Sequence, residues 1–356
     1  MTARNVSLLL AAACCISSSS CASPGESVQG AGATFPAPLY KRWFLEYYKR
    51  DPHVRVNYQA IGSGAGIRQF TEGLVAFGAS DAAMSDKEIA LFKKERGSDV
   101  QLLPMTAGSV VICYNLPEVS GELRLSRDTY LRIFLGEITS WDDSAVRRDN
   151  PNAKLPDREI TVVRRADGSG TTYAFTNHLD SVGKSLGKKW TPGVGKSITW
   201  PKREMIGGRG NPGVAALIKQ TPGAIGYLEL GYAELAELPM AVLKNKAGSW
   251  VAPTPESSLA ALEGVPLPKD FRIWVPDPAG RGAYPIVTYT WLLCYKKYKD
   301  PKVADTLKKV LKFCLTEGQT FSKDLGYIPL PKDVAEPVLK AVDAIEVEGS
   351  AGAARR

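Results

Sequence analysis

Apolar and polar positions along this chain fall into a unit that recurs: a short apolar strand, a glycine turn, then a helix with one apolar stripe. In the first unit Val28-Gln29-Gly30-Ala31-Gly32-Ala33-Thr34-Phe35-Pro36 gives strand and turn. Pro36 or Pro38 suits a first helical turn, and Leu39, Trp43, Phe44 and Tyr47 then recur at helical spacing. Asp51-Pro52 breaks that helix, and Val54, Val56 and Tyr58 alternate as a strand. A second glycine turn, Ile61-Gly62-Ser63-Gly64-Ala65-Gly66, leads into helical Ile67, Phe70 and Leu74. Val75 to Asp81 reads as a buried strand with a polar tip, and Ser85 with Glu88 forms a capping box for a helix over Ile89 to Lys94.

The third unit is the richest. Ile160-Thr161-Val162-Val163 predicts a strand, followed by Arg164-Arg165-Ala166-Asp167-Gly168-Ser169-Gly170-Thr171-Thr172 and a helix from Thr171 to His178. Strands are expected at Leu102–Met105 and Val110–Tyr114, separated by Thr106–Ser109, and again at Ala283–Tyr289. Further helices are expected near Asp128–Phe134, Gly213–Gln220, Pro301–Leu315 and Val334–Val342. Lys184 to Arg203 is glycine- and lysine-rich and reads as exposed, and the tail beyond Glu348 as disordered. The repeated unit implies an α/β protein with a parallel sheet, its strand C-ends and helix N-ends gathered on one edge.

That edge carries chemistry. Thr34, Ser63 and Ser169 each sit at such a turn, beside the free N–H groups of a helix start, and Arg165 adds a permanently charged planar fork. A capped helix after a surface turn explains Gly-Ser-Gly-Thr alone, but not the Arg-x-Asp set directly before it. The shared pattern points to one anion pocket.

Bulk properties narrow the class. A length of 356 residues suggests about two domains. A net charge of +8 is spread over the chain without the basic and aromatic interleaving of a nucleic-acid groove. The N-terminus, with Arg4, an apolar run from Val6 to Ile16 and a stretch of small residues, reads as an export signal over residues 1–24. Cys14, Cys15 and Cys21 lie there; a lipid on Cys14 and a free periplasmic product are both open. Cys113, Cys294 and Cys314 are an odd number, so one disulfide with a free thiol and three buried thiols are both open. No metal site is expected, with two histidines, His53 and His178, and no CxxC. Gly193-Val194-Gly195-Lys196-Ser197 fails as a phosphate-binding loop because Trp190 stands where its first glycine belongs, and Gly62-x-Gly64 lacks the third glycine of a dinucleotide site. Ser169 lacks a positioned base, since His178 lies about two helical turns on.

Gly30 to Pro38, Gly62-Ser63-Gly64, Phe77-Gly78-Ala79-Ser80-Asp81 and Arg164 to Thr171 together resemble the phosphate-binding protein of the bacterial phosphate ABC transporter. Trp141-Asp142-Asp143, Gly223 to Tyr227 and Gly326 to Pro331 are similar to that family too, in the same order. The resemblance implies a two-lobed periplasmic binding protein of type II, each lobe a mixed sheet flanked by helices, with the ligand in the interlobe cleft. The first lobe would comprise residues 25–107 and 284–350, the second 108–283, with 351–356 a disordered tail. The ligand shell would be the Thr34 and Phe35 backbone, Ser63, Asp81, Arg165, Asp167, Ser169, Gly170 and Thr171. No cofactor and no catalysis are implied. The partners would be inorganic phosphate and the permease and ATPase subunits of the transporter, with the protein a monomer. Asp81 is the expected acceptor for the proton that phosphate keeps at neutral pH and sulfate lacks, while Asp167 would orient Arg165. The family departs from this chain at Gly64-Ala65, where a second serine is common, and at the mature cysteines. A binder of another tetrahedral oxyanion and a phosphate-ester hydrolase are the rival readings, the second requiring a metal or a nucleophile–base pair.

Overall fold

The computed structural model describes residues 26–201 and 205–348. The expected export signal, the C-terminal tail and the last residues of the lysine-rich loop lie outside them.

Eight strands form the main sheet: β1 (Glu26–Gly32), β2 (Val54–Ala60), β3 (Phe77–Ser80), β4 (Val100–Tyr114), β5 (Thr161–Arg165), β6 (Ile206–Gly208), β7 (Ala224–Glu229) and β8 (Val287–Tyr295). Their order is β2-β1-β3-β8-β4-β7-β5-β6. The principal helices are α1 (Ala37–Arg50), α2 (Ser63–Glu72), α3 (Asp86–Arg96), α4 (Arg127–Leu135), α5 (Gly170–Ser185), α6 (Gly210–Gln220), α7 (Pro301–Leu315) and α8 (Lys332–Asp343). The predicted capping box at Ser85 and Glu88 forms, and Gly97 in the left-handed region ends that helix.

The expectation of one parallel sheet is corrected. β1 is parallel to β2 and β3, and β5 is parallel to β6 and β7, but β8 runs antiparallel to β3 and β4, and β4 antiparallel to β7. Two parallel triplets, each built from the strand–turn–helix unit, are thus joined by β8, which runs against the first, and β4, which runs against the second, making a mixed sheet in two lobes.

The expected break at Thr106–Ser109 is also absent, and β4 is continuous over 15 residues. Its backbone finds partners throughout: Val100 to Ser109 pair with β8, and Val110 to Tyr114 pair with β7. Ile328 bridges Ala107 from outside, and the Thr106 hydroxyl donates to the Ile328 carbonyl at 2.8 Å. Pro104, which has no N–H, falls at the register shift between Thr290 and Trp291, where the ladder already skips a residue.

Apolar packing runs through both halves of the sheet as one cluster. On α1 the predicted stripe is buried, with Tyr40 stacked on Trp43 at 5.4 Å and Trp43 donating to the Gly318 carbonyl. In the other lobe Phe175 stacks on Tyr227 at 4.2 Å and meets Phe134 edge-on. Each such buried ring contributes about 1.5–3 kcal/mol. Cys113, Cys294 and Cys314 are all free and buried, which settles the disulfide alternatives. The lysine-rich loop is largely exposed, yet Trp190 is buried and Lys196 reaches across to pair with Glu88 on α3 at 2.6 Å. Arg272 pairs with Asp86 beside it at 2.6 Å. No described helix is long and apolar enough to cross a membrane.

Candidate functional site

The three turns meet. The start of α2 lies against the turn before α5, with the Gly64 N–H donating to the Gly168 carbonyl at 2.8 Å. Gly62 makes this possible: its φ is +94°, and a Cβ there would lie 2.3 Å from the Asp167 carboxylate. The tip of β3 enters from the side, so the Ser63 hydroxyl accepts N–H bonds from Gly170 at 3.0 Å and Asp81 at 3.3 Å and donates toward Asp81 Oδ2 at 3.4 Å. Ser169 is the N-cap of α5, accepting from the Thr172 N–H at 3.0 Å. With Gly170 and Tyr173 also paired, the Thr171 N–H is left without a protein acceptor among the described residues.

Arg165 ends β5, only 4% exposed. Its Nε and Nη2 donate to the two oxygens of Asp167 at 2.8 and 2.5 Å, and its Nη1 donates to Thr171 Oγ1 at 3.3 Å. Asp167 also accepts from the Gly210 N–H at 2.9 Å. Burial alone would raise the Asp167 carboxyl, but Arg165 and that N–H hold it below the usual range.

Asp81 is different. It is 2% exposed and forms no ion pair among the described residues. Burial pushes its pKa up to about 7, against the hydrogen bond from Thr290, the more distant charge of Arg165 and the hydroxyl of Ser63. Thr290 donates to its Oδ1 at 2.9 Å. Thr34 and Phe35 complete the floor, their carbonyls accepting from the hydroxyls of Tyr232 at 2.7 Å and Tyr327 at 2.6 Å.

Ser63, Asp81, Arg165, Asp167, Ser169, Gly170 and Thr171 therefore gather around one point, with Thr34 tied to Thr171 through Asn211 and Phe35 next to it in the chain. Two neighbours there were not anticipated: Thr290, on β8, and Asn211, fully buried at the start of α6. Asn211 follows Gly207-Gly208-Arg209-Gly210, a fourth strand–glycine–helix unit, and that repeat was the signal available. A cleft of about 750 Å³ lined by Thr34, Gly64, Arg68, Asp167 and Arg209 opens beside the site.

The arrangement suits a small oxyanion: N–H, hydroxyl and guanidinium donors face one buried carboxylate acceptor. It does not suit Ser–His hydrolysis, because His178 is turned away. Its Nδ1 lies 2.7 Å from the Pro276 carbonyl and its Nε2 lies 2.9 Å from the Tyr130 hydroxyl. Among the described residues no group of three or more His, Cys, Asp or Glu side chains is placed to hold a metal ion.

A two-lobed α/β fold with donors from both lobes facing inward defines a solute-binding protein, and the pattern of the PBP superfamily domain matches residues 18–317. The chain is 38% identical over 340 residues to the phosphate-binding protein PstS of Methanocaldococcus jannaschii, spanning 90% of this chain and 86% of that one. It is 37% identical over 332 residues to PstS of Pasteurella multocida, spanning 92% of both. The chain belongs to the PstS family of phosphate-binding proteins. The solved structure of a phosphate-binding protein from Stenotrophomonas maltophilia shares the fold, with a TM-score of 0.74, 22% identity and coverage of 88% of this chain and 93% of that one.

Proposed function

We propose that this protein binds inorganic phosphate in the interlobe site and delivers it to the permease and ATPase of a phosphate ABC transporter. The observation that carries the reading is Asp81: a buried carboxylate without a cation of its own, set among donors from both lobes. Phosphate at neutral pH keeps a proton that such a carboxylate accepts, whereas sulfate keeps none and is repelled. Leaving that buried acceptor unpaired costs several kcal/mol, roughly a thousandfold in affinity. Thr34, Phe35, Ser63, Arg165, Asp167, Ser169, Gly170 and Thr171 supply the remaining shell, with Asp167 holding Arg165 rather than touching a proton.

The protein acts as a monomeric carrier and not as an enzyme. It works outside the cytoplasm, free in the periplasm or held by a lipid on an N-terminal cysteine. The lobes divide at residues 107/108 and 283/284, which places one crossing in β4 next to the change of partner at Ser109 and Val110. That crossing serves as the hinge with Gly282–Tyr284.

Calorimetry with phosphate, sulfate and arsenate on one sample tests the reading. Phosphate and arsenate should bind and sulfate should not. Arg165→Ala should fold yet bind phosphate tens- to thousandsfold more weakly, a loss of about 2–5 kcal/mol. A wild-type protein that ignores phosphate, or an Arg165→Ala variant that binds like wild type, would overturn it.

A further inference from the structure

A hydroxyl in an anion site can donate a proton or accept one, and its usefulness depends on which. Serine and threonine hydroxyls carry two acceptor lone pairs and one proton. In this site one neighbour takes both lone pairs of one threonine and one lone pair of another. The Asn211 N–H donates to Thr34 Oγ1 at 3.1 Å, and its Nδ2 donates to the same atom at 3.2 Å. Nδ2 also reaches Thr171 Oγ1 at 3.5 Å, where Arg165 Nη1 already donates at 3.3 Å. Neither hydroxyl donates to a protein group among the described residues.

The amide that does this cannot turn round. Its Oδ1 accepts from the Glu229 N–H at 3.2 Å, so the NH₂ end must face the threonines. Asn211 is 0% exposed. Thr34 precedes α1 while Thr171 opens α5, so one side chain serves both lobes.

We propose that Asn211 is a positioning residue that sets the hydrogen-bond polarity of the site. By filling the lone pairs of Thr34, and with Arg165 those of Thr171, it leaves each hydroxyl only a proton to offer. The pocket then presents donors alone at these two points, and Asp81 stands as the one acceptor. A ligand with several bare oxygens and one protonated oxygen fits this division, and a neutral polyol does not. The proposal rests on the reading of the cleft as the phosphate site.

The test uses the full chain and inorganic phosphate, with three variants: Asn211→Asp, Asn211→Ala and Thr34→Val, the last two also combined. Asn211→Asp keeps the shape and the acceptor for Glu229 but replaces the donor with a carboxylate. It should draw both threonine protons away from the ligand and cost about a hundredfold or more in phosphate affinity. Asn211→Ala frees the hydroxyls to rotate and should cost about tenfold. It also leaves the Glu229 N–H unpaired, so its melting temperature falls with or without ligand; the coupling to Thr34 is therefore the decisive readout. In the Thr34→Val background, where one of the two hydroxyls that Asn211 sets is gone, the cost of Asn211→Ala should shrink by more than about threefold. An Asn211→Asp variant binding phosphate like wild type, or an Asn211→Ala cost that is equal in both backgrounds, overturns the proposal. Should Asn211→Asp not fold, the Asn211→Ala and Thr34→Val cycle decides alone. If wild type binds phosphate and these outcomes fail, the polarity role falls and the site reading stands; if wild type does not bind phosphate, both fall.

Discussion

A Cβ added to Gly170 would lie 2.6 Å from Asp81 Cβ and 2.7 Å from its Cα and backbone nitrogen. Asp81 follows β3 in one parallel triplet and Gly170 opens α5 after the other, and no flexible side-chain tip lies between them to yield. Gly170→Ala should therefore force the lobes apart at the ligand rather than unfold either one. Overpacking of this kind costs about 1–3 kcal/mol, so phosphate affinity should fall roughly five- to a hundredfold or more. The melting temperature of the phosphate-free protein should change little. Calorimetry and thermal melting on one preparation check this, and a variant that binds normally would mean that the lobes do not approach so closely in solution.

Asp81→Asn should erode the preference for phosphate over sulfate more than it erodes phosphate binding. Thr290 donates to Oδ1 at 2.9 Å, so the amide keeps its carbonyl there and turns its NH₂ to the ligand side. Repulsion of a fully ionised anion disappears and a donor takes its place. Sulfate binding should rise to a measurable level, while phosphate loses one acceptor among many partners. Competition titrations at fixed ionic strength decide the matter. Continued failure of sulfate to compete would move the proton-reading role to another group, Asp167 first.

His178 should give the protein an acid-labile component of stability. Burial drives its pKa down to about 4, with Arg127 lowering it further and Asp277 and the Pro276 carbonyl opposing. The folded value lies below the unfolded value of about 6.5, so the unfolded state binds the extra proton as pH falls. The contribution is complete above about pH 6.5 and is lost toward pH 4, on the order of 3 kcal/mol. His178→Gln keeps a donor for Pro276 but cannot titrate. Urea unfolding at pH 7 and pH 4.5 should show a smaller loss in the variant than in wild type, and equal losses would exclude His178 as the source.

What could be read in advance was local. Leu39, Trp43, Phe44 and Tyr47 declare a helix through their own spacing, and the Ser85–Glu88 cap lies within one turn. Thr34, Ser63 and Ser169 were legible because each repeats the same turn chemistry. What was hidden depended on partners far along the chain. Thr106–Ser109 looks like a linker, yet it is strand because residues near 288 and 328 supply the other half of its ladder. Asn211 acts on a hydroxyl 177 positions away and Thr290 on a carboxylate 209 positions away; a glycine turn marks the first, and nothing in its own neighbourhood marks the second.

The three free cysteines make the order of events during folding matter. Once packed, they are chemically quiet: burial pushes the Cys294 thiol up to about 12 and the other two higher still. An unfolded thiol near its ordinary value of about 8.5 is several per cent thiolate at neutral pH, orders of magnitude more than any of these. The same three sulfurs are therefore reactive in the nascent or heated chain and inert in the finished one. Cys113, Cys294 and Cys314 sit on β4, β8 and α7, so a bond between two of them made too early would tie together elements that the native packing keeps as free thiols. A reducing agent should thus matter to how much protein refolds, and not at all to how the folded protein behaves.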